Sequence, residues 1–341
     1  MPSARPPERV LLVRLSHLGD IAQALPLLHA LRARWPAATF GWAVQPEFAP
    51  LVEPLAEVIP FDRRGGLAAW RAFRRAAGRF APDLVVDAQG NWKSAVAARV
   101  AARSGGARRV AFAAEHWQEP LAARILRPEL APAAGAPHLV ARCLALAHHL
   151  TGSEPATRLD PELSDAERVE GRALLGPAAG GPPVVLHPGV PGDPRSWPTS
   201  SFGALGERLL ERRARVVVVT GPGDGERSAG EALRPRLPEA HHVVGQRGIR
   251  ALAAALEVAA ASGGCIVTGD SGPAHVAASV GLPVALLAGP EDPARTGPWP
   301  AQPERPHVVV GPPWARRRID SVTVDDAVRA VEQLVTLPRS R

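Results

Sequence analysis

Residues 9–15, RVLLVRL, run into SHLGD at 16–20 and then into IAQALPLLHALRARW at 21–35. The first segment is a short apolar run with β-branched residues, suited to a parallel strand buried on both faces. The last repeats apolar residues three and four apart, which lines one face of a helix. Strand, tight loop and helix in that order begin a βα series, and the same rhythm recurs down the chain.

Working outward, TFGWAVQ (39–45), VIPF (58–61), DLVVDAQ (83–89) and RRVAFAA (108–114) read as further strands. Between them LAAWRAFRRAAGRF (67–80) sets Leu67, Trp70, Phe73 and Ala77 on one face and arginines on the other. KSAVAARVAARSG (93–105) and HLVARCLALAHHLTG (138–152) read as helices. GSEPATRLDPEL (152–163) loses apolar periodicity and gathers Pro, Ser and charge, as a linker does. A short helix, SDAERVEGRALLG (164–176), precedes a second alternating series with strands PVVLH (183–187), RVVVVTG (215–221), HHVVG (241–245), CIVTGD (265–270) and PVALLAG (283–289). The predicted fold is α/β, with two Rossmann-like parallel-sheet domains over residues 1–155 and 156–341. The last helix, 323–336, has its apolar face at Val324, Ala327, Val328, Val331 and Leu334, and is expected to be available to pack back on the first domain.

The chain's 341 residues exceed what one core usually organises, which favours two domains. No apolar run is long enough to span a bilayer, and the first residues lack the apolar core of a secretory signal, so a cytoplasmic protein is expected. Cys143 and Cys265 lie in unlike apolar contexts and read as buried free thiols. The net charge of +7 invites a nucleic-acid reading. However, Lys93 is the sole lysine, tyrosine is absent, and the arginines are scattered rather than gathered into a stripe. With no aromatic stacking platform beside them, nucleic acid is disfavoured. Attraction to an anionic membrane surface or a phosphorylated acceptor fits the same charge.

Four loops at strand ends carry chemistry, since ligands of parallel α/β sheets gather at carboxyl ends. In the first, Ser16-His17-Leu18-Gly19-Asp20, the acid suits either a helix N-cap or a general base. The second, His187-Pro188-Gly189, leads to Arg195, whose guanidinium can fork onto a phosphate. The third, 221–227, is glycine-rich and holds Glu226, a carboxylate suited to ribose hydroxyls, but it is neither a Walker loop nor a GxGxxG turn. The fourth, Thr268-Gly269-Asp270-Ser271-Gly272-Pro273-Ala274-His275, joins a strand to a helix whose first N–H groups favour an anion such as a diphosphate. Ser271 and His275 do not form a hydrolase elbow, because no GxSxG is present.

Together these segments resemble glycosyltransferase family 9, the ADP-heptose:lipopolysaccharide heptosyltransferases. The matching pieces are VLLVRLSHLGDIAQALP (10–26), VVDAQGNWKSA (85–95), QEPLA (118–122), HLVAR (138–142), HPG…RSWP (187–198) and VTGDSGPAHVAASVGLPVALLAGPEDP (267–293). They stand in family order over nearly the whole chain. SHLGD, DAQGNWKSA and EPLA are more similar to the heptosyltransferase I branch than to heptosyltransferase II. The resemblance implies a GT-B fold, with the two domains facing a central cleft, acceptor on the first and nucleotide-sugar donor on the second. It also implies inverting transfer without a metal and no cofactor beyond ADP-heptose as donor substrate.

Residue by residue, Asp20 matches the family's catalytic base. Gly189, Arg195, Glu226, Asp270, Ser271, Gly272 and His275 fall on donor-binding positions, Arg195 where the family usually has lysine. Expected acceptor contacts are Ser16, His17, Gly19, Gln89 and Gln118. Arg63, Arg64 and Lys93, with Arg71 near them, are basic residues fit to meet the phosphates and carboxylates of a Kdo-lipid A acceptor, although a solvated face explains them equally. Two departures stand out. Gln118 replaces an acceptor-binding arginine, and Gly189 and Val190 replace hydroxyl-bearing residues. No obligate protein partner is evident, and peripheral attachment to the inner membrane is compatible. Competing readings are heptosyltransferase II or another core sugar transferase of the same family, a nucleotide-sugar 2-epimerase that would turn over donor alone, and a two-domain solute-binding protein, which would need a secretion signal.

Overall fold

The computed structural model describes residues 5–103, 106–177, 181–246, 248–299, 307–311 and 318–336. The chain divides into two units, Met1–Glu162 and Leu163–Arg341. In the first, the opening segment becomes β1 (Arg9–Val13) and α1 (Leu18–Arg34). There follow β2 (Thr39–Val44), β3 (Glu57–Pro60), α2 (Gly66–Phe80), β4 (Leu84–Asp87), α3 (Trp92–Ala102), β5 (Arg108–Ala111), α4 (Pro120–Leu126), β6 (Glu129–Leu130) and α5 (Leu139–Thr151). The six strands are parallel in the order β3-β2-β1-β4-β5-β6. β1 sits in the centre because its residues Val10 to Val13 are wholly buried, as only an uninterrupted apolar run can be.

The second unit runs α6 (Asp165–Leu175), β7 (Pro183–His187), α7 (Thr199–Glu211), β8 (Arg215–Val219), α8 (Asp224–Leu233), β9 (His241–Val243), α9 (Ile249–Ala261), β10 (Cys265–Thr268), α10 (Gly272–Ser279), β11 (Val284–Leu287), α11 (Pro293–Thr296), β12 (Val308–Val310) and α12 (Val324–Leu334). Its sheet is also parallel, ordered β12-β11-β10-β7-β8-β9. Read within each unit, both sheets have the doubly wound order 3-2-1-4-5-6. The order reverses between β1 and β4 in one unit and between β7 and β10 in the other. Ligands of this fold bind in the crevice outside those strand ends.

Several sequence expectations shift. The strands stop short of the motif residues, because the chain leaves the ladder there: Asp87 ends β4 and accepts from Gln89 N–H and Gly90 N–H instead of continuing the sheet. β6, β12, α4 and α11 escaped the periodicity, being short. Leu67 does not join the buried face of α2 and is 75% exposed. It lies six residues before Phe73, an offset that turns it about 120° away from the buried arc. That arc is Phe73, Ala76, Ala77 and Phe80, with Phe61, Trp70 and Phe73 stacked edge to face. The break between units comes later than residue 155, because His29 on α1 bonds the Asp160 carbonyl at 2.8 Å and Arg32 reaches Glu162 at 3.2 Å. Within its own unit α12 buries its apolar face against β10, β11, β12 and α7. Cys143 and Cys265 are buried and unpaired, and burial pushes both thiols up to about 12. Among the described residues no helix is long and apolar enough to cross a membrane.

Candidate active site

In the first unit the switch point lies between the β1 and β4 loops. Asp20 is not the N-cap. His17 takes that position and Asp20 is the third helical residue, its carboxylate accepting from the His17 N–H at 3.4 Å. Its main partner is Arg14, whose Nη2 pairs with Asp20 Oδ2. The Arg14 side chain is 5% exposed and that of Asp20 is 38% exposed, so a buried cation holds a carboxylate that still meets solvent. Arg14 Nη1 also donates to the Ala88 carbonyl at 2.7 Å, tying β1 to the β4 loop. Ser16 and Gly19 are buried and His17 is exposed; the Ser16–His17 peptide is cis. Gln89 belongs to the same cluster, but its Oε1 accepts from Leu15 N–H at 2.8 Å, so the side chain braces the loop.

Asp87 lies beneath. It accepts from Gln89 N–H (2.9 Å), Gly90 N–H (3.2 Å) and Ser94 Oγ (3.0 Å). Burial raises its pKa from 3.8 to about 6, against the pull of these donors and of Arg14. The folded protein therefore binds this proton more tightly than the unfolded chain. The contribution to stability is full below about pH 4 and is lost as pH rises through about 6. Asp87→Asn should gain on the parent by up to about 3 kcal/mol between pH 4 and 7.5. Denaturant melts of both proteins across that range read the difference, and parallel pH curves would disprove the assignment.

The acceptor-side residues are less gathered. Gln118 is exposed, and its N–H donates to the Gly90 carbonyl at 3.0 Å, while neighbouring Glu119 accepts from Trp92 N–H at 2.7 Å. That brings Gln118 beside the β4 loop and exposed Lys93. Arg63 and Arg64 follow the edge strand β3, with β2 standing between it and β1. Among the described residues no hydrogen bond or ion pair joins their side chains to Asp20.

In the second unit the β7 and β10 loops meet at the corresponding place. Gly269 allows this closeness: a Cβ there would lie 2.1 Å from the Arg195 carbonyl oxygen. Gly189 takes φ +71°, and a Cβ on it would strike Ser196 Oγ. His187 Nδ1 lies 3.2 Å from Thr268 Oγ1, which is 3.1 Å from Ser271 Oγ. Ser271 is the N-cap of α10, yet its side chain makes no cap bond, and Gly272 and Pro273 open the helix. Such a start suits an anion. Asp270 is fixed from both sides, by His275 Nε2 at 3.2 Å and Thr296 Oγ1 at 3.0 Å. Glu226 Oε1 is 3.5 Å from buried His187 Nε2, and that imidazole lowers the carboxylate's pKa while burial opposes. Arg195 does not reach toward an open anion site. It is forked onto Asp193 at 3.0 and 2.7 Å, so a phosphate would have to displace that carboxylate.

Sequence reasoning missed Arg14, Asp87, Asp193, Thr268 and Thr296 as parts of these clusters. Arg14 had a signal: a charged residue inside a strand otherwise apolar enough to be buried is retained only with partners. Thr296 had none, since it stands 26 residues from its partner.

The model of glycosyltransferase family 9 (heptosyltransferase) matches residues 70–309. Lipopolysaccharide heptosyltransferase 1 of Pseudomonas aeruginosa is 31% identical over 315 residues, covering 85% of this chain and 81% of that protein. The Escherichia coli K12 protein of the same name is 29% identical over 309 residues, covering 85% and 90%. Among solved structures, E. coli heptosyltransferase WaaC with ADP matches with a TM-score of 0.77 at 23% identity, over 96% of this chain and 100% of that one. A family 9 glycosyl transferase from Veillonella parvula matches with a TM-score of 0.77 at 17% identity, over 96% and 97%. The chain belongs to glycosyltransferase family 9. It is a glycosyltransferase enzyme whose paired doubly wound sheets are those of the GT-B class.

Proposed function

We propose that the chain transfers heptose from ADP-L-glycero-D-manno-heptose to the Kdo-lipid A inner core of lipopolysaccharide, with inversion and without a metal. The observation that carries the reading is Asp20: a carboxylate at a switch point, held by a buried cation yet open to solvent on its other side. In this reading it takes the proton of the acceptor hydroxyl as that oxygen bonds the anomeric carbon. The bond from that carbon to the diphosphate oxygen breaks on the opposite face, and the diphosphate leaves with the electron pair. The start of α10 at Ser271–Gly272 and the Arg195 guanidinium, once released from Asp193, stabilise the developing charge. Glu226 accepts from the ribose, and Asp270 and His275 order the turn. Ser16, His17, Gly19, Gln89, Lys93, Gln118, Arg63 and Arg64 serve the acceptor.

The relatives named as lipopolysaccharide heptosyltransferase 1 support this acceptor over an already heptosylated one. A lipid A acceptor implies work at a membrane surface, on the cytoplasmic face. The test is ADP-heptose incubated with Kdo-lipid A, with heptosylated Kdo-lipid A, or alone, followed by product mass. One heptose added to Kdo-lipid A is expected. Addition only to the heptosylated acceptor would make the protein a heptosyltransferase II, and donor turnover without acceptor would point to epimerase chemistry.

A further inference from the structure

α2, α3 and α4 are the crossovers from β3 to β4, β4 to β5 and β5 to β6, and they pack side by side. Right-handed connections running in one direction put all three on the same face of the first unit's sheet. The chain has 33 acidic residues, and none falls in these helices. Exposed cations do: Arg71, Arg74, Arg75 and Arg79 on α2, with Lys93, Arg99 and Arg124 on α3 and α4. Among the described residues none of the seven forms an ion pair. Most arginines on the second unit's helices behave differently: Arg168, Arg208, Arg227, Arg250 and Arg329 each meet a carboxylate. Asp62 lies four residues before α2, and Glu115 and Glu119 precede α4.

Large aliphatic side chains stand out from the same helices. Leu67 is 75% exposed, Leu121 56% and Ile125 55%. Leu121 and Ile125 are four residues apart and so share one side of α4. A patch that is both cationic and aliphatic is what an anionic bilayer recognises: charge draws it to the lipid phosphates, and the aliphatic tips enter the headgroup boundary. A nucleic acid would instead be met with exposed aromatic rings, whereas Trp70 and Trp92 on these helices are half-buried and Trp70 is packed against Phe61 and Phe73.

We propose that this helical face docks the enzyme on an anionic lipid bilayer. The inference rests on the lipid-borne acceptor only in preferring a bilayer to other polyanions. Flotation with vesicles of one part phosphatidylglycerol to two parts phosphatidylcholine tests it, with no donor or acceptor present. The whole protein should bind these vesicles, bind pure phosphatidylcholine far more weakly, and be released by salt. Arg74→Gln/Arg75→Gln/Arg79→Gln should weaken binding about a hundredfold, taking about fivefold per arginine. Leu121→Gln/Ile125→Gln should weaken it by about tenfold or more. Arg71 and Lys93 are left in place because the acceptor reading also claims them. Arg208→Gln/Arg236→Gln, on the other unit, should bind as the parent does.

Equal binding by the triple variant and the parent overturns the proposal, as does no binding by the parent. A single-stranded RNA that displaces the vesicles at equal phosphate concentration overturns the choice of a bilayer. Because vesicle binding is read apart from transfer, its failure leaves the transfer reaction standing. Failure of transfer with vesicle binding intact refutes only the proposed reaction.

Discussion

Asp20→Asn is expected to lower kcat by about 10²–10⁴-fold while ADP-heptose binding is retained. The sugar hydroxyl is a weak nucleophile at neutral pH, and an amide cannot accept its proton. In the proposed reading donor binding belongs to residues of the second unit and should be untouched, which calorimetry with ADP-heptose would read separately from turnover. An Asp20→Asn enzyme within a few-fold of the parent would remove this residue from the chemistry. The same substitution carries a structural cost: it leaves the Arg14 guanidinium, 5% exposed, without its charge partner. Uncompensating a buried ion costs about 3–5 kcal/mol. Asp87 lies close enough to offset part of that, so the lower figure is expected.

Arg14→Met is expected to show the opposite pattern, keeping most of the stability and losing turnover. Removing the cation leaves Asp20 at 38% exposure, where water can solvate it, and methionine fills much of the buried space. Replacing a buried ionic group by a packed apolar one is often near neutral in stability. What disappears is the anchor that orients the carboxylate and the 2.7 Å bond to Ala88. A base misplaced by about 1 Å loses about 10²-fold in rate. The check is a pair of measurements, thermal melting and kcat. Full turnover by a stable Arg14→Met protein would show that Asp20 needs no such anchor. In the double variant Arg14→Met/Asp20→Asn the stability loss of Asp20→Asn should be largely recovered, because the stranded cation is gone.

The βα rhythm was legible because a strand buried on both faces and a helix buried on one leave different apolar periods in the chain. Both halves carried that signal strongly enough to yield two parallel sheets, and the loops at 16–20, 187–189 and 268–275 were recognisable as strand-end loops. Short elements were not legible. β6 has two residues and β12 three, at most one and a half periods of a strand. The exposure of Leu67 was not legible either, since its apolar character and spacing place it with a face whose buried arc begins only at Phe73, nearly two turns later.

Residue types and their local spacing thus determined from sequence alone that this is a two-sheet α/β protein with an acid after its first strand and an anion-suited helix start after its tenth, while the resemblance to a glycosyltransferase family supplied the expected activity. Only the tertiary structure decided who holds what: that Asp20 sits inside its helix against Arg14, that Asp270 is clasped between His275 and Thr296, and that Arg195 is already engaged by Asp193. The reason is physical. Periodicity records which face of an element is buried. The partner of a buried polar group comes from whichever strand the sheet order sets beside it, as Ala88 is brought to Arg14 from 74 residues away.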